Sequence, residues 1–97
     1  MIHHNVMLTL TNDATTEQQN AIVNGLLALS GVIEGLKEID VHADLGLAEG
    51  NASVFFRMSF NDESSWRAYS AHPAHVALAT EHIKPFLVSK SALQFAG

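Results

Sequence analysis

"RMSFNDESSWRA", residues 57–68, passes from an alternating apolar segment through Asn-Asp into a helix start, and "LTLTNDATTEQQ", residues 8–19, does the same. Ahead of each Asn-Asp pair every second residue is apolar, the period of a strand with one buried side. Behind each pair come residues able to cap a helix. The echo defines two strand-helix units of one design. Working outward, Ile2, His4, Val6, Leu8 and Leu10 share one side of the first strand, with His3, Asn5, Met7 and Thr9 on the other, so His4 lies on the apolar side. Thr15 or Thr16 caps the first helix, and Gln18 or Gln19 reaches back as in a capping box. Its core stripe is Ile22, Leu26, Leu29 and Ile33, widened by Val23 and Leu27, and it is predicted to end near residue 31 with Gly31 as its cap.

"LKEIDVHADL" (36–45) alternates again, with Ile39, Val41, Ala43 and Leu45 against Glu38, Asp40, His42 and Asp44. After the turn-rich "GLAEGN" follows "ASVFFRMSF" (52–60), with Val54, Phe56, Met58 and Phe60 on one side; the two strands read as a hairpin. Asn61 or Asp62 opens a second helical stretch that runs to about Tyr69 and restarts at Pro73. Proline disfavours helical geometry in the residue before it and suits the first helical position, so His72 is predicted at a joint. "LVSKSALQF" (87–95) closes the chain as a strand. The order β-α-β-β-α-β predicts an α+β, ferredoxin-like subunit forming one domain over residues 1–97, with two helices on one face of a four-stranded antiparallel sheet. The other face then carries Met7, Phe55 and Val88 among His3, Asp40, His42 and Arg57. In so small a domain a second copy pairing across a two-fold axis would cover it, which predicts a homodimer.

Composition excludes several classes. No apolar run approaches the roughly 20 residues of a membrane span, and the start "MIHHNVMLTL" lacks the features of a secretory leader, so the expected location is the cytoplasm with no membrane partner. The net charge is -5, and the five basic residues, at 37, 57, 67, 84 and 90, form no stripe for phosphates, so nucleic acid is not expected as a partner. There is no cysteine, and no GxSxG elbow, phosphate-binding loop or dinucleotide GxGxxG, so no cofactor is expected. His75 with His82 falls short of the three or four ligands a zinc site needs, and no metal site is expected. The acidic row Glu38, Asp40, Asp44 with His42 reads as the polar side of a strand.

The densest chemistry lies in "YSAHPAHVA" (69–77), which holds the only tyrosine and two of the six histidines. At about 100° per residue after Pro73, Val76, Ala79, Ile83 and Phe86 form the apolar stripe, with His75 and His82 on its shoulder, roughly 10.5 Å apart along the axis. Tyr69 approaches His75 across the joint, and His4 faces both from the first strand. A phenol and imidazoles converging on an apolar cleft can move protons. Val6, Phe56, Trp66 and His82 are the expected lining of a pocket for a small apolar or aromatic molecule. The plainer alternative makes Tyr69 a core residue and His72 only a helix cap.

"SFNDESSWRAYSAHPAHVALATEHIKPFL" (59–87) resembles the stress-responsive alpha/beta barrel family, whose hallmark is a Tyr shortly before His-Pro-x-His at the opening of a helix, here Tyr69, His72, Pro73, Ala74 and His75, with Pro85 beyond. "HNVMLTL" (4–10) is similar to its first strand and "GVIEGLKEIDVHADL" (31–45) to its second. Glu34 departs from a common proline and His42 from a common small residue. The resemblance implies a ferredoxin-like subunit and a dimer whose sheets close into an α+β barrel. It implies no single reaction: some branches resemble cofactor-free polyketide cyclases, others have no assigned chemistry. Carried over, His75 would be a general base, Tyr69 a donor to a carbonyl or oxyanion, and His4 and His72 groups that orient them. The sequence thus supports a ligand-binding barrel of unassigned activity, with a cofactor-free cyclase, isomerase or oxygenase and a structural or protective assembly module as the alternatives.

Overall fold

The computed structural model describes residues 1–97. Strand β1 (Ile2–Leu10) leads into helix α1 (Thr16–Leu27), the hairpin strands β2 (Leu36–Ala43) and β3 (Val54–Phe60), helices α2 (Glu63–Ala71) and α3 (Pro73–Leu78), and strand β4 (Leu87–Ala96). The strands form one antiparallel sheet in the order β2-β3-β1-β4. This is the ferredoxin-like arrangement, with the second helical layer broken in two.

The alternation in β1 is realised as read: His4, Val6, Leu8 and Leu10 are buried beneath the helices, and Met7 faces out. Val54, Phe56, Met58 and Phe60 do the same from β3, and Ile22 and Leu26 of α1 close over them. Of the two candidate caps, Thr15 opens α1: its hydroxyl accepts from the Gln18 amide at 3.1 Å, and the Gln18 side chain accepts from the Thr15 amide at 2.9 Å. At α2 the cap is Asp62, which accepts from the Ser65 amide at 2.8 Å; that bond holds its carboxyl below the usual range. His72 is extended (φ -65°, ψ 132°) between α2 and α3, as the following proline demands.

Three expectations are corrected. Helix α1 ends at Leu27, not near 31, because the next amides bond three residues back (Leu29 to Leu26, Ser30 to Leu27) and tighten the chain into turns. Leu29 and Ile33 still reach the core, and Gly31 takes its positive φ (82°) in the turn. After α3 the chain widens into a π-helical turn, Ala79–Ile83, and then tightens into a 3-10 turn, Lys84–Phe86. Of the predicted stripe, Ile83 is buried, Phe86 packs against the core and Val76 and Ala79 line the helix–sheet cavity, but Val76 is half exposed and the stripe omitted Leu78, which is buried. Val88 does not belong to a regular outer face, since it sits where the β1–β4 register slips, between the pairs Thr9–Ser89 and Leu10–Leu87. The apolar side chains of the outer face are Met7, Phe55, Leu93 and Phe95.

Gly35 fixes the entry to β2. Its φ is +87°, and a Cβ there would stand 2.5 Å from the Ser65 Oγ and 2.6 Å from the Ser65 Cβ. Gly35→Ala combines left-handed strain with overpacking against the first turn of α2. It is expected to lower unfolding free energy by about 2–3 kcal/mol in denaturant titration. Gly46→Ala, at φ +76° with open space around it, should lose only about 1 kcal/mol. Equal losses would assign the whole effect to φ.

Candidate functional site

Between the sheet and the α2–α3 layer lies a cavity of about 430 Å³. The sheet supplies His4 and Val6 from β1 and Phe56 from β3; the helices supply Trp66, Tyr69 and His75. The β1–β4 register sets Ala92 opposite Val6, Gln94 opposite His4 and Lys90 opposite Leu8. Directly opposed residues share a sheet face, so these three β4 side chains also turn toward the cavity, which they line.

The polar groups are held in defined states. The Gln94 side-chain amide donates to His4 Nδ1 at 2.8 Å, so the proton of the neutral His4 ring lies on Nε2. Burial, reinforced by the charge of Lys90 and by His75, pushes His4 down to about 4. His75 Nδ1 donates to the Ser70 carbonyl at 3.2 Å, which leaves the Nε2 lone pair free. Burial also depresses His75, against the opposing effect of that hydrogen bond and with help from Lys90, His72 and Lys84. Both imidazoles are neutral at pH 7. The Tyr69 ring lies 4.4 Å from His75 and 5.7 Å from His4, centroid to centroid, and Phe60 supports its far side at 5.2 Å. Burial raises the Tyr69 phenol above its ordinary value, so it is a proton-bearing donor. Its hydroxyl makes no hydrogen bond within the chain and is not among the fully enclosed unpartnered polar atoms, which are Thr11 Oγ1 and Trp66 Nε1. It opens into the cavity.

The residues singled out from sequence divide accordingly. His4, Val6, Phe56, Trp66, Tyr69 and His75 converge on one cavity. His72 does not line it: its Nδ1 accepts from the Ala74 amide at 3.1 Å and caps α3. His82 does not line it either. The π-helical turn carries His82 into solvent, with Nε2 3.9 Å from Glu81. Lys84, Lys90, Ala92 and Gln94 are among the wall residues that escaped the sequence reading, because their placement depends on the turn after α3 and on strand register.

Elsewhere, His3 and His4 lie on opposite faces of the sheet, and His3 Nδ1 hydrogen-bonds Ser59 Oγ at 2.8 Å. Asp40 contacts His42 at 3.2 Å and Arg57 at 4.0 Å on the exposed outer face, pairs that contribute little in water. A hollow of about 580 Å³ on that outer face is lined by Met7, Phe55 and the β2–β3 loop, including the exposed Leu45 and Leu47. It lacks the converging donors and bases of the inner cavity. No helix is long and apolar enough to cross a membrane.

A ferredoxin-like α+β domain with a histidine- and tyrosine-lined cavity under its helices defines the class. Residues 2–95 match the stress responsive A/B barrel domain, and the chain belongs to that family. It is similar to a dimeric ferredoxin-like protein of unknown function from Thermobifida fusca YX, at 33% identity and TM-score 0.88, covering 99% of this chain and 90% of that one. It also resembles a dimeric protein of unknown function with a ferredoxin-like fold from Bacteroides fragilis (20%, TM-score 0.87, 99% and 95%). The hydroxynitrile lyase of Passiflora edulis shares the fold at 16% identity and TM-score 0.82, over 97% of this chain and 90% of that one. No protein of curated function matches the chain in sequence.

Proposed function

We propose that this protein is a homodimer in which each subunit binds a small apolar or aromatic molecule in the cavity between helices and sheet. The observation that carries the reading is the Tyr69 hydroxyl: the residue is 3% exposed, yet its donor is unspent and opens into an apolar cavity. A purely architectural tyrosine would satisfy that group within the fold. The dimeric state of similar proteins and the apolar outer face support the homodimer.

The test uses Trp66, the single tryptophan, which stands in the cavity wall and reports on it. Titration with small aromatic carbonyl compounds such as 2-acetonaphthone should change its emission saturably. Ala92→Phe, which fills the cavity from an edge strand, should weaken that response at least tenfold while circular dichroism is unchanged. Absence of saturable binding, or equal affinity in the variant, would refute the reading.

A second reading, a cofactor-free acid-base enzyme, is favoured by the Ser70–His75 hydrogen bond. It presents Nε2 of a neutral imidazole beside a phenol that stays protonated. His75 would take a proton from carbon or oxygen of the bound molecule, and Tyr69 would donate to the oxygen on which negative charge develops. Deuterium exchange at the acidic positions of a bound ketone, followed by NMR, should slow by roughly 10²–10⁴ in His75→Ala. An unchanged rate would remove His75 as the base.

A further inference from the structure

The chain carries ten carboxylates against five Lys and Arg, yet no carboxylate lines the inner cavity, whereas Lys84 and Lys90 both do. Neither lysine is neutralised within the protein. The side-chain ion pairs are His42–Asp40, Arg57–Asp40, Arg67–Glu63 and His82–Glu81, and no lysine takes part. Lys90 is placed by register: it opposes Leu8 of β1 and so turns toward the helices, its ammonium at the mouth of an apolar cleft. Lys84 reaches the same mouth from the 3-10 turn after the π-helical turn. Deeper in, the Tyr69 hydroxyl and the N–H at His4 Nε2 are unspent donors. The acceptors beside them, His75 Nε2 and the Gln94 side-chain oxygen, are neutral. Two free cations with no carboxylate beside them, and two donors inside, match a ligand that carries negative charge.

We propose that the molecule this cavity takes is an organic anion, an apolar or aromatic body bearing a carboxylate or an enolate-type oxygen directed at Lys84 and Lys90. The inference rests on the ligand-binding reading above and names its substrate class. The charge of Lys90 reaches both ring systems inside, and that of Lys84 reaches His75, helping to hold the imidazoles unprotonated. The same field draws in an anion and lowers the energy of negative charge formed on a bound carbonyl. The competing explanation for Lys90 is local: an inward-turned charge on an edge strand discourages pairing with another chain. That role predicts no preference among ligands.

The experiment compares isosteres that differ only in charge, 2-naphthoate and 2-naphthamide, by Trp66 emission and calorimetry on the full chain. At low ionic strength the carboxylate should bind roughly tenfold tighter than the amide. The gap should close in 0.5 M salt and in Lys84→Met/Lys90→Met, which keeps the length and apolar stem of each side chain while removing its charge. Equal affinities in the wild type, or a preference that survives the double substitution, would overturn the anion assignment and leave cavity binding intact. Binding of neither compound, nor of the neutral ketone, would overturn both.

Discussion

A chain carrying Leu93→Asp and Phe95→Asp will behave in solution as a single subunit. Both side chains lie on the outer face, 65% and 49% exposed, in register with Asn5 and His3 of β1, and with Met7 and Phe55 they make the apolar part of a sheet surface that no helix covers. Two-fold pairing of that surface counts each residue twice, so two substitutions remove four side chains from the interface. Since each is already partly shielded in the lone subunit, the loss is about 1 kcal/mol apiece, or roughly 4 kcal/mol and a factor near 10³ in dimer Kd. Four uncompensated carboxylates add to it. X-ray scattering reads the result directly. The lone subunit has a radius of gyration of 13.2 Å, and a compact dimer of twice the length has about 16 Å. The wild type should give the larger value and the variant the smaller. If the variant stays at the larger value, the contact lies elsewhere on the molecule.

What the sequence made legible, and what it hid, follow one physical division. Local rules suffice where a residue acts on its chain neighbours. The period of β1 put His4 under the helices, Pro73 put His72 at a joint, and the Thr15–Gln18 and Asp62–Ser65 caps sit where short-range hydrogen bonding requires them. The site was half legible for the same reason, since His4, Tyr69 and His75 are each aimed by the element that carries them. What was hidden depends on contacts between distant segments. Leu78 packs against Gly25 of α1, where any Cβ would collide with it, and the chain beyond accommodates itself through a π-helical turn that no periodicity announces. That turn turns His82 outward. Gln94, Lys90 and Ala92 enter the cavity because β4 pairs with β1 in the register that sets them opposite His4, Leu8 and Val6. The slip between Thr9 and Leu10 lies beyond them and concerns only Leu87 and Val88, which no pattern within β4 could place.

The protein is expected to lose stability on the acid side through His4. Its ring is pushed down to about 4 by burial among Phe56, Trp66 and Tyr69, with ring centroids 5.7–6.0 Å away, and by the charge of Lys90. In the unfolded chain the same ring titrates near 6.5. Between those values the unfolded state binds the proton and the folded state does not, so unfolding becomes more favourable as pH falls from 6.5 toward 4. Above pH 6.5 both states are neutral there, and the contribution is flat. A shift from 6.5 to about 4 corresponds to at most about 3 kcal/mol, less what water at the cavity mouth screens. The Gln94 bond adds a geometric reason: its amide donates to Nδ1, and protonation there would set two donors against each other. His75, shifted in the same direction, steepens the same limb. Denaturant midpoints at pH 7.5, 6 and 4.5 should fall progressively for the wild type. His4→Phe keeps the site apolar and uncharged, so it should flatten most of that slope and leave only the smaller part due to His75. An equal slope in the variant would show that acid sensitivity arises outside the cavity. Because a bound anion at Lys84 and Lys90 would favour the protonated ring, adding 2-naphthoate should shift the acid limb of the wild type to lower pH, and 2-naphthamide should not.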